Sequence, residues 1–124
     1  MKVTAPLTKV QYGIYAECIA HQGEVCYNLP YLFVLDGSLN EETLKTAIET
    51  AVTAHPTLFT RIALNEQGDP QQTIDDSETF TVQVEHIADI EAAKRKMVVP
   101  FDIYNDRLFH IRLLKDSDHF YLLL

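Results

Sequence analysis

Five histidines, two cysteines and a scatter of carboxylates are the side chains of this 124-residue sequence whose types suit chemistry. Cys18, His21 and Cys26 lie close together, and on a helix Cys18 and His21 share a face. Zinc takes four ligands in tetrahedral array, commonly in paired C-x₂₋₄-C or H-x₃₋₅-H spacing. A fourth ligand is missing here and the spacing is irregular, so a core cysteine beside a surface histidine is the better reading. Ser38, Ser77 and Ser117 each stand beside Asp or Gly in turn contexts, where serine is commonplace. With four glycines in the chain, a phosphate-cradling loop is absent, as are a nucleophile elbow and G-x-G-x-x-G. His55 precedes Pro56 at the end of an amphipathic stretch, where a histidine stabilises the negative end of a helix. These residues assemble no complete catalytic site, so chemistry would need groups beyond Leu124.

Local pattern supplies the elements that would position them. Thr8 and Gln11 have capping-box spacing, and the helix they open is expected to reach about Gln22 and stop at Gly23. Val10, Ile14 and Cys18 form its apolar stripe. Leu29–Leu35 is a nearly continuous apolar run, which reads as a strand buried on both faces. Asn40 caps the next helix, Glu41 and Glu42 suit its positive end, and Leu44, Ala47, Ile48, Ala51 and Val52 recur at helical spacing. Leu58–Leu64 reads as a strand and the cluster 65–70 as a turn, with 71–74 returning as a short strand. Thr79–His86 alternates as an edge strand. Asp89 caps a short helix carrying Ile90, Ala93 and Met97, which Pro100 ends. Phe109, Ile111 and Leu113 alternate along a further strand, 115–118 forms a turn, and 120–124 is apolar throughout. A chain that ends on such a run resembles a domain interrupted at a central strand, because natural termini are usually polar and loosely held. The class expected is α+β, a mixed β-sheet with about three helices.

Composition narrows the partners. A net charge of −8 disfavours nucleic acid, since phosphate binding needs clustered Lys and Arg. Lys94-Arg95-Lys96 is the single basic run, and a solvated helix face accounts for it. An apolar share of 47 % is globular rather than disordered. The opening residues lack the apolar core of a signal peptide, and no apolar run approaches the ~18 residues of a membrane span. Two cysteines are too few for a disulfide framework, which makes the cytoplasm the expected compartment.

Three segments, in order, carry a resemblance. Pro6-Leu7-Thr8-Lys9-Val10-Gln11-Tyr12-Gly13-Ile14-Tyr15 resembles S-x-A-Q-x-R-[LM]-[WY], the opening motif of condensation domains in non-ribosomal peptide synthetases, with Gln11 and Tyr15 near its glutamine and aromatic positions. Ala54-His55-Pro56-Thr57-Leu58-Phe59-Thr60-Arg61-Ile62 is similar to the second motif, R-H-E-x-L-R-T-x-F, through His55, Leu58 and Thr60. Pro100-Phe101-Asp102-Ile103 with 107–114 looks like P-F-D-L…P-L-x-R-x-x-L-L. Together they span essentially the whole chain.

The resemblance implies the chloramphenicol-acetyltransferase-like fold, with residues 1–124 as part of its N-terminal lobe, ending shortly before the active-site motif H-H-x-x-x-D-G. It implies amide formation between acyl or peptidyl and aminoacyl thioesters carried on the phosphopantetheine arms of carrier domains. The partners would be those carrier domains and the remainder of the condensation domain, and the chain itself would need no cofactor or metal. Gly13, Ala54 and Phe59 stand where the family motifs have arginine. Arg61, two residues from Phe59, would share its face on a strand and take over the support of the motif aspartate. His55, Arg61, Gln11 and Tyr12 are the supporting residues expected, with none catalytic. Two alternatives remain open at this point: another coenzyme A- or carrier-dependent acyltransferase of the same fold, and a non-catalytic interaction module that self-associates through open sheet edges.

Overall fold

The computed structural model describes residues 1–124. Its elements in chain order are β1 (Lys2–Pro6), α1 (Lys9–Ala20), β2 (Leu32–Leu35), α2 (Glu41–Thr53), a 3₁₀ turn (Pro56–Phe59), β3 (Thr60–Leu64), β4 (Pro70–Asp75), β5 (Val84–His86), α3 (Ile90–Lys94), β6 (Arg112–Lys115) and β7 (Phe120–Leu123). The α+β class with three α-helices is therefore observed, and the strands divide between two sheets. The chain forms two compact units, each woven from three segments. One comprises Met1–Asn28, Pro56–Glu78 and Pro100–Leu108; the other comprises Leu29–His55, Thr79–Val99 and Phe109–Leu124.

The first unit holds the antiparallel sheet β1-β4-β3. The β3–β4 hairpin closes where expected. Asn65 Oδ1 accepts from the backbone N–H groups of Gln67 and Asp69, and Gly68 takes the positive φ of 87° that a side chain resists. Helix α1 opens on the expected capping box: the Thr8 N–H donates to Gln11 Oε1 and the Gln11 N–H to Thr8 Oγ1. Its covered stripe is Gln11, Tyr15, Cys18 and Ile19; of the expected Val10, Ile14 and Cys18 only Cys18 is covered, and Val10 stays 74 % exposed. The helix also ends earlier than expected, at Ala20 with His21 as its cap. Strand β1 has no counterpart among the expected elements.

The second unit holds the mixed sheet β2-β7-β6-β5, in which β5 and β6 run parallel and the other pairs antiparallel. Leu113 and Leu114 are consecutive on β6 and both fully buried, so both faces of the sheet are covered there. Leu44 and Ile48 of α2 pack with Leu113, Phe120 and Val82 on one face. Ile90, Ala93 and Met97, the stripe expected around α3, pack with Leu114, Tyr121 and Leu123 on the other. Three strands are shorter than their apolar runs. Residues 79–83 leave the ladder, and the Val82 N–H donates instead to Glu49 Oε1 at 2.9 Å. Regular pairing of the 109–115 run starts only at Arg112. The run 29–35 yields an edge strand of four residues, β2, with Phe33 and Val34 exposed rather than buried on both faces. No helix is long and apolar enough to cross a membrane.

Candidate functional site

The densest set of charged groups lies in the first unit, around Glu78. Arg61 projects from β3 and grips this carboxylate with two donors of its guanidinium, Nε to Oε1 at 3.1 Å and Nη2 to Oε2 at 3.2 Å. Arg107 adds a third donor, Nη2 to Oε2 at 3.0 Å. A fork meeting both carboxylate oxygens fixes direction as well as charge. Arg61 Nη1 also donates to the Asn105 carbonyl at 3.4 Å. The Arg107 guanidinium lies over the ring of Phe59, 5.3 Å from its centroid, and Phe59 is only 2 % exposed. The hydrogen bond from Arg61 holds the Glu78 carboxyl below the ordinary carboxylate range, against the opposing pull of burial.

The loop that brings Asn105 to Arg61 is built by Asp102 of the P-F-D-I segment. Asp102 Oδ1 accepts from the N–H groups of Tyr104 and Asn105, and Oδ2 accepts from Asn105 Nδ2 at 2.8 Å. Asp106 returns the constraint by accepting the Asp102 N–H at 2.7 Å. The side-chain bond from Asn105 leads in holding the Asp102 carboxyl below the ordinary carboxylate range. Asp102 thus shapes a turn, which gives that segment a structural reason for its aspartate. From the same loop Tyr104 bonds to the hydroxyl of Tyr15, and this bond pushes the Tyr15 phenol up to about 12.

The four expected supporting residues separate. Gln11 is committed twice, to its capping box and to Gln72 Oε1 at 3.0 Å. Because Arg61 opposes Thr73 in register while Gln11 bonds Gln72, the two lie on opposite faces of the sheet. Tyr12 is exposed, its ring 6.0 Å from that of Tyr15. His55 belongs to the second unit, exposed just after α2, with its N–H on the Val52 carbonyl. Phe59 closes the 3₁₀ turn rather than starting a strand, so the expected shared face of Phe59 and Arg61 does not exist. Glu78 and Tyr104 carry no motif of their own; only their tertiary partners reveal them.

Elsewhere the Ser77 and Ser117 hydroxyls donate to Asp75 and Asp118, each a near neighbour within its own turn. No three His, Cys, Asp or Glu side chains converge as a metal would require. Cys18 is half-buried, which pushes its thiol up, and Cys26 is exposed. What the Glu78 cluster can do is hold a strand, a turn and a loop in fixed relation through charge, leaving proton transfer to other groups.

Comparison with known proteins points one way. The profile of the condensation domain family matches residues 1–124. Plipastatin synthase subunits D and A of Bacillus subtilis are each 32 % identical over 123 residues, 98 % of this chain. The chain spans only 3 % and 5 % of those two relatives' length. Among solved structures, the starter condensation domain of rhizomide synthetase superposes with a TM-score of 0.74 at 19 % identity, covering 98 % of this chain and 31 % of that one. The condensation domain from Monacolin K polyketide synthase gives 0.77 at 18 % identity, covering 98 % and 29 %.

Proposed function

The chain belongs to the condensation domain family, and we propose that it is the opening part of an amide-forming domain of a non-ribosomal peptide synthetase. The observation that carries this reading is the family match across residues 1–124, with all three motif segments in order. In the proposed reaction the amine of an aminoacyl thioester attacks the carbonyl carbon of an acyl or peptidyl thioester. The C–N bond forms, the C–S bond breaks, and the amine's proton balances the departing thiolate. Both thioesters would arrive on phosphopantetheine arms of carrier domains, so the chain itself would hold no cofactor. Fixing both arms turns an encounter of two substrates into an effectively unimolecular step. The cytoplasm is the proposed compartment.

Within this reading Arg61 is a positioning residue. Its guanidinium, braced on Glu78 and the Asn105 carbonyl, sets the geometry of β3 and the loop after Pro100. The paired histidines of H-H-x-x-x-D-G are proposed to follow Leu124 in the longer polypeptide and to carry the chemistry. His55, Gln11 and Tyr12 keep supporting roles only.

The test uses the longer polypeptide with an acyl-loaded donor carrier and an aminoacyl-loaded acceptor carrier, the amide product being followed by mass spectrometry. Product is expected from the longer polypeptide and none from residues 1–124 alone, while Arg61→Ala lowers kcat. Turnover by the 124-residue chain alone, or a coding sequence without paired histidines after Leu124, would sink the proposal. Full activity of Arg61→Ala would remove only the positioning role.

A further inference from the structure

Two segments of the first unit, distant in sequence, reach for each other twice through arginines that run in opposite directions. Arg61, near the start of β3, extends to the loop after Pro100 and donates from Nη1 to the Asn105 carbonyl at 3.4 Å. Arg107, in that loop, extends back to the 3₁₀ turn before β3 and lies over the Phe59 ring, 5.3 Å from its centroid. Phe59 precedes Arg61 by two positions, and Asn105 precedes Arg107 by two. Glu78 stands between the arginines, accepting from Arg61 Nε and Nη2 and from Arg107 Nη2 at 3.0–3.2 Å. The contacts thus close two rings that share the Arg61–Glu78–Arg107 bridge, one through the turn and one through the loop.

Each contact alone would be weak. Glu78 follows β4 by three positions, outside any regular element, so its partners rather than a ladder aim its carboxylate. Arg61 and Arg107 are 37 % and 34 % exposed, and an isolated ion pair that open to water fixes little, because two long side chains give up freedom to hold it. Phe59 changes this for Arg107. Its buried ring is a fixed platform that holds the guanidinium lying on it. Anchored in this way, Arg107 aims Glu78, and Glu78 aims Arg61.

Resting on the amide-forming reading above, we propose that Arg107 is a second positioning residue for that reaction. It acts through Glu78 on Arg61 and clasps the turn before β3 to the loop after Pro100. In the longer polypeptide with loaded donor and acceptor carriers, Arg107→Ala is expected to lower kcat about ten- to a hundredfold with KM for both carriers unchanged, since misplacement by about 1 Å costs rate rather than binding. Arg107→Met, which keeps apolar cover on Phe59 without the charge, should lose as much. Arg61→Ala should cost the same factor, and the double alanine variant no more than either single one, because the two arginines act as a unit. Hydrogen exchange on the same polypeptides reads the clasp without activity. Arg107→Ala is expected to raise exchange in 56–61 and Arg61→Ala in 102–107, each loosening the segment it does not belong to, with exchange in β6 and β7 unchanged. Unchanged kcat in Arg107→Ala overturns the proposal, as do full activity of Arg107→Met and a double variant whose losses multiply. Exchange that rises only around the substituted residue overturns the clasp. A wild-type polypeptide that forms no amide removes the reaction and Arg107's part in it, while the exchange result still decides the clasp.

Discussion

Replacing Glu78 by Gln isolates the contribution of one carboxylate while keeping its shape. The substitution leaves Arg61 and Arg107 beside a neutral amide and removes three charge-assisted contacts of 3.0–3.2 Å. Exposed ion pairs contribute only ~0.2–1 kcal/mol, whereas breaking a buried one costs ~3–5 kcal/mol. The side chains here lie between those limits, at 21 % exposure for Glu78 and 37 % for Arg61. We therefore expect Glu78→Gln to destabilise by about 2 kcal/mol, allowing for solvent screening. With an unfolding entropy of ~2.1 cal/mol/K per residue, that is a fall in Tm of about 8 °C for a chain of this length unfolding as one unit. Acid should erase the difference. The folded Glu78 carboxyl titrates below its unfolded value, so its stabilisation is complete above an unfolded pKa of ~4.3. It is lost as pH falls through the lower folded value. Urea unfolding of wild type and Glu78→Gln at pH 7, 5 and 3 reads this directly. The gap should be constant at the upper two and shrink at the lowest. Equal midpoints at pH 7, or a gap undiminished in acid, would refute the ionic account of this cluster.

Two further expectations concern the second unit. Leu113 is fully buried between α2 and the sheet, and Leu113→Ala should cost about 2–5 kcal/mol in chemical denaturation; a loss below 1 kcal/mol would mean that the site collapses on the vacated volume. Asp116 accepts the Tyr121 hydroxyl proton at 2.7 Å, holding its own carboxyl down to about 2 and the phenol up to about 12. In Asp116→Ala the Tyr121 phenol should titrate nearer its ordinary value, seen as tyrosinate absorbance, and an unmoved titration would break that assignment.

What was legible in the sequence was local. Thr8, Asn40 and Asp89 cap the three helices as their spacing indicates, because each cap satisfies backbone donors within a few residues. The turns at 65–69 and 116–119 likewise close through the side chains of Asn65 and Asp116. Position in the sheet was not legible. The run 29–35 is as apolar as a central strand, yet composition states only which surface favours cover, not whether another strand supplies it. Strand 79–86 was shortened by a distant side chain, Glu49, that captures the Val82 N–H. The buried stripe of α1 was misplaced because its inward face uses Gln11 and Tyr15. Apolar periodicity does not register polar residues whose ends are satisfied by Gln72 and Tyr104.

The second motif shows how a departure from family pattern is resolved in three dimensions. Phe59 stands at a motif arginine position, and the spacing to Arg61 suggested a replacement on the same face of a strand. The 3₁₀ turn breaks that periodicity: Phe59 goes into the interior, and Arg61 begins a new alternation on β3. A guanidinium nevertheless reaches Phe59 from outside the motif, since Arg107 packs over its ring and shares Glu78 with Arg61. Positive charge is thus present around this turn although the residue at 59 is apolar. It is supplied by two arginines 46 positions apart in sequence and held together by one carboxylate. A motif read residue by residue counts the loss at 59 and misses the gain, because the compensating pair exists only once β3, Glu78 and the loop after Pro100 have come together.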